Sequence, residues 1–593
     1  MLYTKKADFA RIAQKFGIDP VTARIITNRG ISGEEEIEKY LHGTLADLHD
    51  PALLPGAGKA ADLILQRIRS GSRIRVVGDY DIDGVCAAYI LVTALRRLGA
   101  DCDYDIPDRI KDGYGINEAI IRRAHEDGID TIVTCDNGIS AKSQVELAKA
   151  FGMTVVVTDH HEVPTEREES GQDAAAEDNK SEESGRDAAA ENRRPEESRQ
   201  VVPPADVVID PKLSESRYPF VEICGAVVAW KLVKLIFAAA GRPEEEWLDW
   251  LEFAAIATVG DVMPLTDENR IIVRHGLRKI GKTENAGLRM LVEKTGLDPR
   301  QITAYHVGFV IGPCINAGGR LETARLALEL FLSEDPEETE RMAQALRDLN
   351  DRRKDMTEKA VQEATELVNT RYSADSVLVV YLPDCHESLA GIIAGRLREH
   401  YQKPAIVLTD GAEAVKGSGR SIESYHMFLK LTEVSDLLLK YGGHPMAAGL
   451  SLKRENVDLF REKLNENAGL SEEDFKAKIW IDVPMPLGYI TEKLVEELRI
   501  LEPYGQGNEK PQFALKSLYI RACRVMGKNR NVVRMTLQEQ DGFAMDALWF
   551  GNGDEFERER AGRRFVDIIY YPDINEYGGN RSLQAVVRRY RFH

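Results

Sequence analysis

The sequence predicts an α/β chain: a parallel, doubly wound sheet, a second α/β unit reached through a long helix, and a small C-terminal β-barrel. Three observations predict it. From residue 73 short apolar runs alternate with helical stretches. A charged helical stretch over 335–370 separates that block from a second strand–helix–strand pattern. After about residue 470 short β-rich runs dominate, Val532-Val533-Arg534-Met535-Thr536-Leu537 among them.

Taken in order, residues 1–70 read as a helical cap with a basic segment, Thr22 to Gly30, near its middle. Arg73–Gly78 is a buried strand, Val85–Leu98 a helix, Ile129–Cys135 a strand, Lys142–Phe151 a helix and Thr154–Thr158 a strand. Over 165–200 the segment Glu169 to Glu177 returns as Glu183 to Glu191, acidic and almost free of large apolar residues, which predicts a disordered surface insertion. The sheet resumes at Ala205–Asp210, and 222–345 is mostly helical. The second α/β unit opens with Ser376–Tyr381 and continues through a helix at 388–400 and a strand at Ala405–Leu408. Domain boundaries follow: cap 1–70, first α/β domain 71–345, linking helix 346–372, second domain 373–468, barrel 469–593.

With 593 residues the chain exceeds one core. Its 43% apolar and 30% charged content is that of an ordinary water-soluble protein. No apolar run approaches the roughly 20 residues that span a bilayer, and the first residues lack the apolar core of a signal peptide. Seven scattered cysteines without a Cys-x-x-Cys pair speak against structural zinc and for a reducing, cytoplasmic setting. A net charge of −19 looks hostile to nucleic acid. Residues 162–200, however, carry 13 acids against 6 bases, and residues 514–593 carry 14 bases against 10 acids. Distribution outweighs the sum, and a nucleic-acid partner stays open.

Three segments place acids or histidines just after an apolar run: Gly78-Asp79-Tyr80-Asp81-Ile82-Asp83-Gly84, Asp136-Asn137-Gly138 and Asp159-His160-His161. In an open parallel sheet the strand C-termini line one crevice, so these groups converge. Crowded carboxylates repel one another unless cations lie between them. In the first segment the acids alternate, and an extended backbone aims them the same way. Oxygen donors with one or two imidazoles suit Mn²⁺ or Mg²⁺, and two such ions roughly 3.5–4 Å apart serve phosphodiester cleavage. A single acid after a strand is more often a cap or turn residue; three such segments together are not.

Asp159-His160-His161 is the triplet after which the DHH phosphoesterases are named, and the chain from about 45 to 590 resembles the RecJ-type single-strand-specific exonucleases of that superfamily. The resemblance rests further on Thr258 to Leu265, Ile315-Asn316-Ala317-Gly318-Gly319-Arg320-Leu321, Gly417 to Ser421, Gly442-Gly443-His444 with Ala447-Ala448-Gly449, and Leu501 to Asn508. It implies a DHH domain, a DHHA1 domain joined by the long helix, and an oligonucleotide-binding (OB) barrel. It also implies two cations, Mn²⁺ or Mg²⁺, with Asp81 and Asp83 on different ions and Asp136 bridging. His160 and Asp261 complete the second site, and Asp79 supports the first. His161, Arg320, Asn316 and Asp136 are then the catalytic residues, with His161 beside the scissile phosphate and Arg320 neutralising it. Arg109, Ser418 and Arg420 bind a terminal 5′-phosphate and nearby nucleotides, and Tyr114, Asn117, His386 and His444 line the substrate groove. Trp549, Phe550 and the basic Arg588-Arg589-Tyr590-Arg591 hold incoming strand on the barrel.

The implied activity is a single-stranded-DNA-specific 5′→3′ exonuclease. It releases 5′-mononucleotides by two-metal-ion hydrolysis and serves recombination and repair. Its partner is single-stranded DNA with a 5′ end, with a single-strand-binding protein and a helicase as further candidates, no membrane, and a monomeric chain. Two alternatives are a DHH phosphodiesterase of short oligonucleotides or cyclic dinucleotides (or a pyrophosphatase) and an inactive DNA-binding scaffold. The pattern departs in neighbours only: Val227 and Gly260 stand where glycine and alanine are usual, and Ser388 replaces a glycine.

Overall fold

The computed structural model describes residues 1–109, 112–165, 199–577 and 580–593, and the acidic insertion lies outside them but for Thr165, Arg199 and Gln200. The chain forms two compact bodies. Residues 50–261 with 276–477 make one, and residues 1–49, 262–275 and 478–593 make the other.

The first body is organised by a parallel sheet of β1 (Arg73–Val77), β2 (Asp101–Asp105), β3 (Thr131–Cys135), β4 (Thr154–Thr158) and β5 (Val207–Ile209), in the order β2-β1-β3-β4-β5. Every residue of β3 and β4 is buried, as helices on both faces require. The order reverses direction between β1 and β3, and that switch point opens a crevice at the strand C-termini. The loops after β1 and β3 carry Asp79–Asp83 and Asp136.

One local expectation is corrected here. The acids after β1 do not share one extended run: Asp81 is extended (φ −96°, ψ −176°), but a helix starts early, at Ile82 rather than Val85, and takes in Asp83. Asp81 is its N-cap, accepting from the Asp83 and Gly84 amides (2.9 and 3.1 Å), so Asp83 sits in the first turn. A helix start favours carboxylates through its unpaired amides and dipole.

The long helix runs Pro336–Leu367 and continues as a wider turn to Tyr372, ten residues ahead of the expected start of the link. Asp335 caps it and Pro336 occupies its first turn. Its first half packs on helices Ala286–Thr295, Gly312–Leu321 and Arg325–Leu332, and its second half on Ala390–Tyr401, so it ties the two α/β units together. The second sheet contains β6 (Leu378–Tyr381), β7 (Ala405–Asp410), β8 (Val415–Arg420), β9 (Leu438–Gly443) and β10 (Ala447–Leu452), in the order β6-β7-β8-β10-β9, with only β6 and β7 parallel.

The second body contains β11 (Val483–Pro484), β12 (Phe513–Met526), β13 (Val532–Gln538), β14 (Ala544–Phe550), β15 (Phe565–Tyr577) and β16 (Asn580–Phe592). β12 pairs with both β13 and β15, β14 with β16, and β16 with β15, which closes a five-stranded barrel with helix Gly553–Arg560 between its third and fourth strands. That is the OB arrangement.

The cap expected over 1–70 is divided. Helices Pro20–Asn28 and Glu34–His42 share one apolar core with the barrel, where Ile25, Ile26 and Leu41 meet Phe513, Met535 and Tyr570. Helix Ala57–Arg69 instead packs on Gly225–Ala239 and β5. The cause is polar as well as apolar. Buried Arg270 donates to the carbonyls of Tyr40, Ile500 and Leu501 (3.0, 2.7 and 2.8 Å). Buried Asn508 accepts from Tyr40 Oη and Arg29 Nε (2.8 and 2.9 Å). The Arg29 charge faces buried Asp482 at 3.3 Å, so the basic character of 22–30 is partly spent inside the fold. Among the described residues no helix is long and apolar enough to cross a membrane, and all seven cysteines are unpaired.

Candidate metal centre

Around the switch point the structure assembles two groups whose ligand atoms lie within 4.8 Å of one another: Asp79, Asp81 and Asp136, and Asp83, His160 and Asp261. Asp136 also groups with His160 and His161, and so stands between the two. His160 Nε2 lies 3.1 Å from Asp136 Oδ1, 3.6 Å from Asp83 Oδ2 and 3.7 Å from Asp261 Oδ2. All six expected ligands come together.

Each is held by its local structure. Asp79 accepts from the Gly115 amide (3.1 Å). Asp83 is gripped at both oxygens by the first amides of helix Gly225–Ala239, Gly225 N and Ala226 N at 2.6 and 2.8 Å, which fixes its orientation through a helix start. A Cβ on Gly225 would lie 2.6 Å from Asp136 Cβ, so only glycine lets this helix approach so closely. Asp136 takes a left-handed backbone (φ 61°), tolerated by Asp but strained, as at many functional sites. Asp261 follows helix Leu251–Gly260 as its C-cap.

The donor set fits cations. Among the described residues no Lys or Arg approaches within 4 Å of the five carboxylates. Burial, then the neighbouring acids, raises the pKa of Asp79, Asp81 and Asp136, and pushes Asp261 up to about 8. Asp136 Oδ1 and both ring nitrogens of His160 are buried without a hydrogen-bond partner, a costly state that ligation relieves. Burial also lowers the His160 pKa, which favours the neutral, ligating imidazole.

His161 behaves differently. Burial works against its proton, but Asp159 Oδ1 at 2.7 Å from Nδ1 outweighs it and raises the pKa to about 9. Asp159 also accepts from the amides of His160 and Ile139 (2.8 and 2.9 Å), so it orients the histidines rather than joining the ligands. The sequence reading assigned Asp159 no role; only the depth of its burial and its three partners reveal it.

A second, cationic group faces the acids. Half-buried Arg320 donates to the Ser388 carbonyl (2.8 Å). Burial, with Arg109 and Arg353 next, lowers its pKa to about 10. Arg109 lies over the Tyr80 ring at 4.6 Å. Arg420 Nη1 meets Ser418 Oγ at 3.2 Å, and both crowd Gly391 near the start of helix Ala390–Tyr401. Arg353, on the long helix, was not singled out in the sequence. Its Nε bonds Asn350 (3.1 Å), and among the described residues no carboxylate pairs with it or with Arg320, Arg420 or Arg109. A Leu-Asn-Asp-Arg-Arg run inside a charged helix reads as solvated surface, which hid it.

The remaining expected residues are placed as follows. Asn316 Oδ1 accepts from the Ile82 amide (2.9 Å), so it positions the acid loop. Tyr114 Oη donates to the Asp136 carbonyl (2.8 Å) and lies 3.1 Å from His161 Nδ1. Asn117 caps helix Glu118–Glu126 through the Ile120 amide (3.0 Å), a structural use that its groove assignment overlooked. His386 Nδ1 meets Ser388 Oγ (2.8 Å), while His444 is exposed in the turn between β9 and β10. On the barrel, Trp549 packs against Phe556 and Tyr590 (5.3 and 5.1 Å), so it supports the fold, whereas Phe550 is exposed. Arg591 pairs with Asp567 (2.7 Å).

Comparison with known proteins agrees with this geometry. Family profiles match at 73–258 (DHH family, N-terminal domain), 374–469 (DHHA1 domain) and 481–589 (RecJ OB domain). The single-stranded-DNA-specific exonuclease RecJ of Bacillus subtilis is 34% identical over 97% of this chain and 68% of its own length. That of Escherichia coli is 31% identical over 96% and 95%. A crystal structure of Thermus thermophilus RecJ in complex with Mn²⁺ superposes with a TM-score of 0.81 at 27% identity, covering all of this chain and 78% of the other. A Mg²⁺ complex of the same protein gives 0.75 at 26% identity, over all of this chain and 77% of the other. With the acid nest, the arginine group and the barrel all present in order, this chain belongs to the RecJ family.

Proposed function

We propose that the protein is a single-stranded-DNA-specific exonuclease that hydrolyses from a 5′ end and releases 5′-mononucleotides in recombination and repair. The observation that carries this is a pair of opposed clusters. Among the described residues no Lys or Arg lies within 4 Å of the carboxylate nest, and its central imidazole, His160, has two orphaned nitrogens. Beside it lies an arginine group with which, among the described residues, no carboxylate forms an ion pair. Divalent cations complete the first and a phosphate chain the second.

Asp79, Asp81 and Asp136 would hold one cation, Mn²⁺ or Mg²⁺, and Asp83, His160 and Asp261 the other, with Asp136 shared. Two such ions supply a water nucleophile at neutral pH and neutralise the leaving oxygen. The chain's own residues do the rest. The Gly225 and Ala226 amides hold Asp83 in place. Asp159 keeps a proton on His161, whose imidazolium then faces the scissile phosphate. Arg320 neutralises the same phosphate. Ser418 and Arg420, beside Gly391 near the start of helix Ala390–Tyr401, with Arg109 over the Tyr80 ring, bind the terminal 5′-phosphate, which sets the polarity. His386 and Tyr114 line the approach.

The same reading places the chain in the cytoplasm, consistent with seven unpaired cysteines. It acts as a monomer on strands that a helicase opens and a single-strand-binding protein coats. The phosphodiesterase alternative is not favoured, because relatives that match nearly end to end are single-strand exonucleases by name. Digestion of end-labelled single and double strands with each metal tests substrate, polarity and cation together. Asp136→Ala should cut Mn²⁺-dependent mononucleotide release by more than about 10³-fold while largely sparing strand binding. Hydrolysis retained in that variant removes the metal assignment, and attack from a labelled 3′ end overturns the polarity.

A further inference from the structure

Away from the metal centre the first body holds a cavity of about 360 Å³, within the volume range of small-molecule sites. Two helices run between the two places. Helix Ile82–Arg97 carries Asp83 at its start and Tyr89, Thr93 and Arg97 at the cavity. Helix Leu251–Gly260 carries Glu252 at the cavity and ends at Asp261. From Glu252 to Asp261 is about 14 Å of helix, so the cavity is separate from the acid nest.

The cavity floor is aromatic. Tyr89 and Phe331 pack on Phe253, with ring centroids 4.2 and 5.1 Å from it, and buried Trp250 donates Nε1 to Thr93 Oγ1 (2.7 Å). One carboxylate is set among these rings, that of Glu252, which is 2% exposed. Its Oε1 accepts from Thr283 Oγ1 (3.0 Å). Its Oε2 is buried without a hydrogen bond, and Lys279 Nζ stands 3.5 Å away. Burial raises the Glu252 pKa against the pull of Lys279 and Thr283. The carboxylate is therefore only partly compensated, and a charged donor would complete it.

The rim sets the sign of that donor. Arg97 is spent on Asp249 (2.6 Å) and lies over the Trp250 ring (4.4 Å), while Lys279 faces Glu252. Glu284 and Glu334 also line the cavity and are exposed. Among the described residues no Lys or Arg lies within 4 Å of either. Four acids thus stand against two bases, and both bases are already paired. An anion is repelled here and a cation is drawn in. One acid on the floor and two at the mouth suit a ligand charged at both ends, with an apolar stretch to lie along the rings.

We propose that this cavity binds a linear aliphatic diamine, with one ammonium on Glu252 Oε2 among the aromatic rings and the other between Glu284 and Glu334. No group of the metal centre takes part, so the site stands whether or not the chain is a nuclease.

The test titrates the full chain, loaded with Mn²⁺, with 1,4-diaminobutane at neutral pH in a calorimeter. Wild type should bind one diamine per chain. Glu252→Gln should weaken that binding about 10-fold or more. The monoamine 1-aminobutane should bind wild type about 5-fold more weakly than the diamine, and Glu284→Gln/Glu334→Gln should erase that preference. Mn²⁺ affinity should be unchanged in both variants. No diamine binding in the millimolar range, or equal binding by a folded Glu252→Gln variant, overturns the site. Should Glu252→Gln fail to fold, the rim variant decides, because a preference for the diamine retained there overturns the two-ended ligand. Several diamines per chain, displaced by K⁺ at equal ionic strength, would mark a diffuse counterion cloud and overturn it as well. Loss of Mn²⁺ binding in folded Glu252→Gln would tie Glu252 to the acid nest and overturn the separate site.

Discussion

Asp79, Asp81, Asp136 and Asp261 hold protons more firmly than carboxyls in water do, because burial and their mutual repulsion disfavour the charged forms. Between the ordinary carboxyl range and about 8, the folded, ion-free protein therefore binds more protons than the unfolded chain. Their contribution to stability is complete below about pH 4 and is lost as pH rises through that window. The melting temperature in chelator should fall with pH across the window, and Asp261→Asn should flatten the slope; equal slopes would argue against the cluster as its source. Mn²⁺ must displace those protons, so its affinity should rise over the same interval, with protons released in calorimetry. Asp159→Asn should lower the His161 pKa from about 9 toward its ordinary value near 6.5, read by the imidazole resonances. At this scale the convergence of acids and histidines after β1, β3 and β4 was legible because three such segments together have few other uses, and the family resemblance added Asp261, completing the six that the structure brings together. The roles of Asp159 and Arg353 were not legible, since they depend on burial and on neighbours far along the chain.

Elements carry the geometry that no single residue supplies. The start of helix Gly225–Ala239 grips Asp83 and abuts Asp136. A methyl group in that gap should displace the Asp136 loop, so Gly225→Ala is expected to weaken Mn²⁺ binding at least 10-fold and to cost about 1–3 kcal/mol in stability. Metal titration with thermal melts checks both. The element pattern was readable where periodicity was clean: β4 spans the expected Thr154–Thr158. It erred where capping decides. A run of alternating acids looks extended, yet Asp81 bonds two amides ahead of it and starts the helix at Ile82. The long helix likewise begins at Pro336, where Asp335 and a proline set its first turn.

The whole molecule is two bodies, and their stabilities should be separable. Arg270→Met would take the side-chain donor from the carbonyls of Tyr40 and Ile500, and would leave Leu501 with Asn508 Nδ2 at 2.8 Å and Tyr40 Oη at 3.4 Å. It should destabilise the barrel body by about 2–5 kcal/mol, with Mn²⁺ binding by the other body retained; loss of metal binding instead would contradict the partition. The barrel was predicted from its β-rich pattern, but its alliance with residues 1–49 was not, because shared cores between remote segments leave no periodic trace. That alliance has a consequence for biosynthesis. Residues 1–49 leave the ribosome well before the strands at 513–592 that complete their core. At about 5–20 residues per second, the early helices wait roughly half a minute to two minutes for those partners. Throughout that interval Ile25, Ile26 and Leu41 stay uncovered, so shielding of nascent chains should matter more for this segment than for the sheet that follows it.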